Sequence, residues 1–216
     1  KLIDTALPLS VQVHPGDEPG APGKEEAWIV LAADPDAHVW AGLAATATPA
    51  EFRRAVIAGE PLLHHLRTIP VVAGSVVLIP ARTVHAIGGG ILLAEIQQPS
   101  DCTWRFHDHG SARPIQPREA LAAVDLAQQP AVWHPHQPST ALRGRHLHLE
   151  ILGPGAHRRD RTHDLQRPTL VIPARGPLTL HAGPEQQQLA AGDLALARGP
   201  HWLHLPPASL AVLGRI

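Results

Sequence analysis

Hydrophobic residues in this chain recur in short runs, and within several runs they alternate with polar residues. Both patterns are typical of β-strands, which they predict over residues 2–15, 26–32, 37–42 and 91–98 and in a run that ends at Pro80. After residue 140, more short strands are predicted over residues 146–152, 169–173, 178–181, 194–197 and 202–205. Glycine and proline separate these runs, which indicates a mainly β chain with a second, smaller β-barrel in its C-terminal part.

Helix signals are few and local. Thr48 is a predicted N-cap, Pro49 suits the first helical position, Glu51 completes a capping box and Gly59 is a predicted stop. Further helices are predicted over residues 61–68 and 118–126, and a linker over residues 128–137. We therefore expect a domain over residues 1–127 with a helical insertion at about 48–68, a linker over 128–140 and a C-terminal β domain over 141–216.

Composition narrows the classes of function. The 216 residues include 18 basic and 19 acidic ones, so no basic surface for nucleic acid or anionic lipid is indicated. Apolar runs fall short of the roughly 20 residues that cross a bilayer, and the single Cys102 cannot form an intramolecular disulfide, so we expect a cytoplasmic protein without a membrane segment. Because the chain begins at Lys1 and contains no methionine, we also expect that an N-terminal piece is missing.

Four polar residues could converge on one metal ion. Gln12 and His14 lie two apart on a predicted strand and so point to the same side, Glu26 follows a Gly- and Pro-rich turn, and His85 is expected to complete the set from across the barrel. Two nitrogen and two oxygen ligands suit Zn²⁺, although Mn²⁺, Fe²⁺ or Co²⁺ would also fit. The chain has 16 histidines, so a lone histidine carries little information.

Four segments resemble motifs of one enzyme family. They are residues 9–15 (LSVQVHP), 23–28 (GKEEAW), 79–86 (IPARTVHA) and 95–105 (EIQQPSDCTWR). In order and spacing they are similar to type I mannose-6-phosphate isomerases of the short bacterial form, which are zinc enzymes of the cupin superfamily. The resemblance implies a cupin-type jelly-roll barrel, a second cupin-like domain without metal, and one Zn²⁺ held by Gln12, His14, Glu26 and His85.

The same resemblance implies an active site. Arg105 occupies the place of the family's active-site arginine, and Lys24, Glu95 and Asp101 match residues of the substrate pocket, as does Lys1. The expected reaction interconverts mannose 6-phosphate and fructose 6-phosphate by proton transfer through an enediol-type intermediate.

The sequence allows more than one role for several of these residues. Glu95 is the first candidate for the base, because burial would raise its pKa, and Lys24 is the second. Glu95 could also form a structural ion pair with Arg105 or Lys24, and the two roles do not exclude each other. Arg105 could stabilise the enediolate or bind phosphate, and Lys1, Ser10 and Arg105 together favour a phosphorylated substrate.

Two other functions are compatible with the sequence. One is a cupin isomerase acting on another sugar or sugar phosphate, and the other is a non-catalytic, sugar-binding metal cupin. The retained Lys24, Glu95 and Arg105 favour an enzyme over a binding protein. The expected partner is a small sugar phosphate, and the expected assembly is a monomer or a homodimer.

The chain departs from the family pattern in places. Arg82 stands where glycine is usual, so the loop is expected to be strained or rebuilt if this position needs a positive φ. Residues 107–110 (HDHG) replace an aromatic-rich run. In the C-terminal part, His146, His148 and Glu150 are expected to share one strand face, either as a solvated face or as a second metal site, and residues 192–204 resemble a decayed copy of residues 74–85.

Overall fold

The computed structural model describes residues 1–138, 140–160 and 168–215. Residues 1–138 form ten strands and two α-helices, which in chain order are β1 (Leu2–Thr5), β2 (Val11–Val13), β3 (Glu26–Ala33), β4 (His38–Leu43), α1 (Pro49–Ala58), β5 (Leu66–Pro70), β6 (Val76–Ile79), β7 (His85–Ile87), β8 (Ile91–Gln97), β9 (Trp104–His107), α2 (Pro117–Ala123) and β10 (Ala131–Trp133). The strands make two antiparallel sheets of order β1-β8-β3-β6-β10 and β5-β4-β7-β2-β9.

A hydrophobic core joins these two sheets. Trp28 and Leu93 enter it from the first sheet, and Val39 and Ile87 from the second, all of them buried. Side chains alternate along each strand, so one face of each sheet contributes to this core. The predicted cupin-type barrel is confirmed, and the predicted strands at residues 26–32, 37–42 and 91–98 correspond to β3, β4 and β8.

The single strand predicted over residues 2–15 is wrong. The structure divides it into β1, which pairs with β8, and β2, which pairs with β7 and β9 in the other sheet. The chain crosses between the sheets at residues 6–10, where Pro8 has no N–H to donate to a strand ladder. Just before the crossing, the Thr5 hydroxyl donates to Gly88 O at 2.7 Å. This crossing carries Gln12 to the second sheet.

Helix α1 follows its sequence signals closely. The Thr48 hydroxyl accepts from Glu51 N at 3.2 Å, Glu51 Oε2 accepts from Thr48 N at 2.8 Å, and Gly59 ends the helix at φ 69°. The helix predicted over residues 61–68 is wrong beyond one 3₁₀ turn at Leu63–His65, because the residues that follow pair with β4 as β5. Neither α-helix in the described ranges has the length and hydropathy of a membrane span.

The C-terminal part forms a second pair of antiparallel sheets. Its described strands are β11 (Thr140–Arg143), β12 (His148–Leu152), β13 (His157–Asp160), β14 (Thr169–Arg175), β15 (Leu178–Ala182), β16 (Glu185–Leu189), β17 (Ala195–Ala197), β18 (His201–His204) and β19 (Leu210–Arg215). Their orders are β11-β12-β19-β14-β17 and β13-β18-β15-β16. A separate core that includes Val171, Leu203 and Leu213 fills the space between the two sheets.

The two barrels pack against each other through a shared core. Ile29 and Ala94, on the outer face of the first barrel's β1-β8-β3-β6-β10 sheet, contact a cluster that includes Leu149 and Val212 of the second barrel. Trp133 of β10 joins this cluster, although residues 128–140 were predicted to be a linker, because β10 pairs with β6. Strand β3 therefore has the first barrel's core on one face and the shared core on the other.

Candidate metal centre and active site

The four predicted metal ligands come from three places that the fold brings together. Gln12 of β2 is the register partner of His85 at the start of β7, and His14 follows β2 directly. Glu26 begins β3 in the opposite sheet. The expectation that His85 reaches the site from across the barrel is therefore wrong: His85 neighbours Gln12, and Glu26 is the residue that crosses.

His14, Glu26 and His85 form a buried cluster. One potential ligand atom from each lies within 4.8 Å of the others. The His14 Nδ1 donates to Cys102 O at 2.9 Å, and the His85 Nδ1 donates to Thr83 O at 2.9 Å. These carbonyls fix both rings so that each Nε2 faces Glu26, at 3.2 Å for His14 and 3.4 Å for His85.

The Glu26 carboxylate is only partly satisfied. Its Oε1 accepts a hydrogen bond from Trp28 Nε1 at 3.1 Å. Its Oε2 has no hydrogen-bond partner, although Lys24 Nζ lies 2.7 Å away without the angle of a hydrogen bond. The carboxylate faces two imidazole nitrogens, that of His14 with Oε2 and that of His85 with Oε1. A divalent cation would satisfy the oxygen that lacks a hydrogen bond.

Gln12 completes the polar cluster. Its Nε2 lies 3.1 Å from His85 Nε2, and its Oε1 accepts from the Ser10 hydroxyl at 3.0 Å. Ser10 was predicted to bind substrate. The structure buries it and gives it Gln12 as its hydrogen-bond partner, so its observed contact is with a predicted ligand residue.

Lowered pKa values prepare two of these residues for metal binding. Burial lowers the pKa of His85 to about 4, against a smaller opposing effect of Glu26, so the ring is neutral at pH 7. Burial acts to raise the pKa of Glu26, but His14 above all, then His85 and Lys24, outweigh it and hold this pKa well below its usual range. A neutral imidazole and an ionised carboxylate are the forms that bind metal.

Glu95 lies beside this cluster. Its Oε1 is 4.0 Å from Lys24 Nζ and 3.7 Å from Lys1 Nζ. Burial first and the nearby Glu26 second raise its pKa, while Lys24 and Lys1 oppose the rise. Asp101 is almost fully exposed and approaches Lys1 at 3.7 Å, so the sequence-predicted pocket residues extend from the buried cluster to the surface.

Arg105 lies on β9, in register with Gln12. Register partners project to the same face of a sheet, which places Arg105 on the face that carries Gln12 and His85. Its Nε is buried and has no hydrogen-bond partner in the described residues. A guanidinium nitrogen in this state can bind an anionic ligand.

The loop before His85 adopts the strained alternative predicted for it. Arg82 has φ 69°, in the left-handed region that favours glycine. Its N–H donates to His14 O at 2.8 Å and its Nε donates to Ala123 O at 3.0 Å, so the arginine ties the loop to β2 and α2. Nearby, the replaced run at residues 107–110 is held by Asp108, which accepts from Arg113 Nε at 2.8 Å.

Among the described residues, the C-terminal histidines form no second metal-binding cluster. His146 lies outside β12, and its Nε2 approaches Asp17 Oδ2 at 2.8 Å, so it does not share a strand face with His148 and Glu150 as predicted. In the ranges that the structure describes, His14, Glu26 and His85 make up the one set of three His, Cys, Asp or Glu residues close enough to hold a metal.

Sequence reasoning missed the residues that orient the ligands. Thr83 and Cys102 act through backbone carbonyls, which no sequence pattern marks. Trp28 could have been found, because its spacing of two from Glu26 on β3 places both side chains on one face.

The fold and this buried cluster define a cupin-type β protein whose site can hold a metal ion. Within that class the chain is similar in sequence to mannose-6-phosphate isomerases. It is 42% identical to mannose-6-phosphate isomerase of Streptococcus mutans over 113 residues, which are 50% of this chain and 35% of that protein. It is 35% identical to mannose-6-phosphate isomerase ManA of Bacillus subtilis over 142 residues, which are 60% of this chain and 44% of that protein.

Solved structures agree on the fold. The mannose 6-phosphate isomerase from Bacillus subtilis superposes with a TM-score of 0.71 at 21% identity, covering 100% of this chain and 74% of that one. A variant of phosphomannose isomerase from Salmonella typhimurium gives 0.67 at 13% identity, covering 99% and 78%. No family profile matches the chain. The chain spans less than half the length of the curated relatives that it matches.

Proposed function

We propose that this chain is a metal-dependent aldose–ketose isomerase that interconverts mannose 6-phosphate and fructose 6-phosphate. The observation that carries the proposal is the buried Glu26 carboxylate beside Lys24: its Oε2 has no hydrogen bond, and its two oxygens face the Nε2 atoms of His14 and His85. Similarity to mannose-6-phosphate isomerases supports the choice of reaction. Cytoplasmic localisation and a monomeric or homodimeric state stay predictions.

The proposed cofactor is one Zn²⁺ per chain, held by Gln12, His14, Glu26 and His85. Two imidazoles, one carboxylate and one amide oxygen are ligands that suit zinc. When bound, the ion would supply Lewis-acid stabilisation of the oxygen that becomes negative during isomerisation. Lys24 lies between this site and Glu95, at 2.7 Å from Glu26 and 4.0 Å from Glu95, where an ammonium can stabilise the same charge.

Glu95 is the proposed base. Isomerisation needs a group that removes a proton from one carbon of the sugar and returns it to the next. Burial raises the pKa of Glu95, which brings its carboxylate closer in basicity to that task than an exposed glutamate. Lys24 remains the second candidate because it is buried within 4.0 Å of the same carboxylate.

Arg105 is the proposed anion-binding residue. Its buried Nε has no partner in the described residues, so a substrate oxygen would satisfy it. Lys1 and Asp101, at the exposed side of Glu95, are proposed to contact the substrate's polar groups. Ser10 would act through Gln12, because its hydroxyl contacts the amide oxygen that would bind the ion.

The test is a coupled assay that follows fructose 6-phosphate formed from mannose 6-phosphate by the purified chain. We expect turnover that chelation abolishes and Zn²⁺ restores. Arg105→Ala should lower kcat by about 100-fold or more, as loss of a transition-state donor does, without lowering the zinc content. The exposed Arg118→Ala is the matched control and should retain activity.

Two results would change the conclusion. A folded, zinc-loaded chain without turnover would favour an isomerase for another sugar or a sugar-binding protein, which a screen of other sugar phosphates would separate. Activity that survives complete metal removal would refute the role of zinc.

A further inference from the structure

Glu25 is a buried carboxylate between two residues of the proposed active site. Lys24 and Glu26 contact each other and the metal cluster. The Glu25 side chain contacts a different part of the molecule, the turn of residues 144–147 that joins β11 to β12 in the second barrel. The alternation of side chains along an extended chain explains the opposite directions.

The turn of residues 144–147 closes around the Glu25 carboxylate. Oε2 accepts from Arg145 N at 2.9 Å, and Oε1 accepts from His146 N at 3.0 Å and Leu147 N at 2.7 Å. A Cβ added at Gly144 would collide with both carboxylate oxygens. Successive backbone N–H groups that converge on one anion form a nest, so this turn is shaped to hold a carboxylate.

A second set of contacts ties Glu25 to the loop after His14. Glu25 N donates to Gln98 Oε1 at 2.8 Å, and Gln98 N donates to Glu25 O at 3.0 Å. The Gln98 side chain donates to Asp17 Oδ1 at 3.2 Å, and Asp17 Oδ2 lies 2.8 Å from His146 Nε2. The contacts thus run from the second barrel through Glu25, Gln98 and Asp17 and back to the second barrel.

We propose that Glu25 is a positioning residue, through which the second barrel fixes Lys24 and Glu26 in the active site. This inference rests on the proposed function, because it assigns the second barrel a part in the metal site. Rotation of the backbone at residue 25 would displace both neighbours together. The nest fixes Glu25 through its side chain, and the two hydrogen bonds with Gln98 fix it through its main chain.

Zinc affinity tests the proposal without using turnover. Glu25→Gln keeps the size of the side chain but turns an amide NH₂ towards the donors of the nest. Gly144→Ala changes the turn instead of the glutamate, because the added Cβ would push the carboxylate out of the nest. By analogy with residues that orient metal ligands, each variant should weaken Zn²⁺ binding by about 10-fold or more in a competition titration with a chromophoric chelator. Glu18→Gln, an exposed glutamate in the same loop, should bind Zn²⁺ as the unmodified chain does.

Hydrogen exchange of the unmodified chain gives a second test, which does not depend on the folding of variants. Coupling between two sites is reciprocal. If the nest strengthens Zn²⁺ binding, Zn²⁺ should therefore slow hydrogen exchange of the amides of Arg145, His146 and Leu147, by up to the factor that the variants lose in zinc affinity. The amides of Gly183 and Glu185, at the turn between β15 and β16 of the same barrel, should not change.

The outcomes separate this inference from the proposed function. Two results would overturn the role of Glu25 alone. One is an unchanged zinc affinity in both folded variants, and the other is an active isomerase in which Zn²⁺ leaves the exchange rates of the nest amides unchanged. Coupled zinc binding without isomerase activity would leave the positioning role intact and overturn the proposed reaction. A chain that binds no Zn²⁺ would overturn both.

Discussion

His85 should make the stability of the metal-free protein depend on pH in a mildly acidic range. Its ring is buried against Glu26 and His14, and burial lowers its pKa from 6.5 to about 4. The unfolded chain therefore takes up a proton near pH 6.5, whereas the folded chain resists until about pH 4. Between these values the unfolded state binds more protons, so the free energy of unfolding falls as the pH is lowered.

The magnitude follows from the width of the interval. One proton bound differentially over one pH unit changes the free energy by about 1.4 kcal/mol. From pH 7 to pH 5 the differential uptake rises from about a quarter of a proton to nearly one, which gives a loss of about 2 kcal/mol. This window lies above the ordinary pKa values of carboxyl groups, where the lowered pKa of Glu26 contributes little.

The assay is urea unfolding of the chelated protein at pH 7, 6 and 5, followed by circular dichroism. The unmodified chain should lose about 2 kcal/mol more than His85→Gln between pH 7 and pH 5, because glutamine does not titrate. His136→Gln, at an exposed histidine, is the matched control and should keep the full pH dependence. Equal pH slopes for His85→Gln and the unmodified chain would refute the reasoning.

Three further predictions concern stability, each measured as a free energy of unfolding. Arg82→Gly should be about 1 kcal/mol more stable than Arg82→Ala, because both lose the contact with Ala123 O but only alanine keeps a Cβ at φ 69°; equal stabilities would exclude backbone strain there. Phe52→Ala should cost about 3–5 kcal/mol, since Phe52 is fully buried on α1, whereas Ile57→Ala on the exposed face should cost far less. Thr48→Ala should cost about 1 kcal/mol by removing the N-cap, and a cost near zero would mean that the capping box contributes nothing.

Local signals explain which parts of the fold could be predicted from sequence. Helix α1 was predictable at both ends because its cap, its first-turn proline and its terminal glycine act within a few residues. Strands β7, β9 and β10 were missed; each has three or four residues, and so short a run carries little periodic pattern of its own. Their conformation depends on pairing with strands distant in sequence, as β10 does with β6.

In the candidate site, too, local features could be predicted from the sequence and long-range contacts could not. The residue types of the metal cluster could be predicted from motifs, but the relation between them could not. His85 is beside Gln12 because β7 pairs with β2 across 73 residues of chain, and spacing does not encode that pairing. The role of Glu25 could not be predicted from the sequence, because its partners are backbone N–H groups about 120 residues away, and almost any residue type supplies such a group.

Glu95 has two proposed roles, as the catalytic base and as a partner in a structural ion pair, and the charge balance of the site connects them. In the metal-free site Lys24 compensates the buried Glu26, since an unpaired buried carboxylate would be strongly unfavourable. A divalent cation at Glu26 would repel the Lys24 ammonium, and the nearest other carboxylate to it is Glu95, at 4.0 Å. Glu95 would then stabilise Lys24 as an ion pair and would also be drawn towards its ionised form, which is the form that accepts a proton. The structural ion pair and the catalytic base are thus two consequences of one arrangement of charges, and the proposed zinc ion connects them.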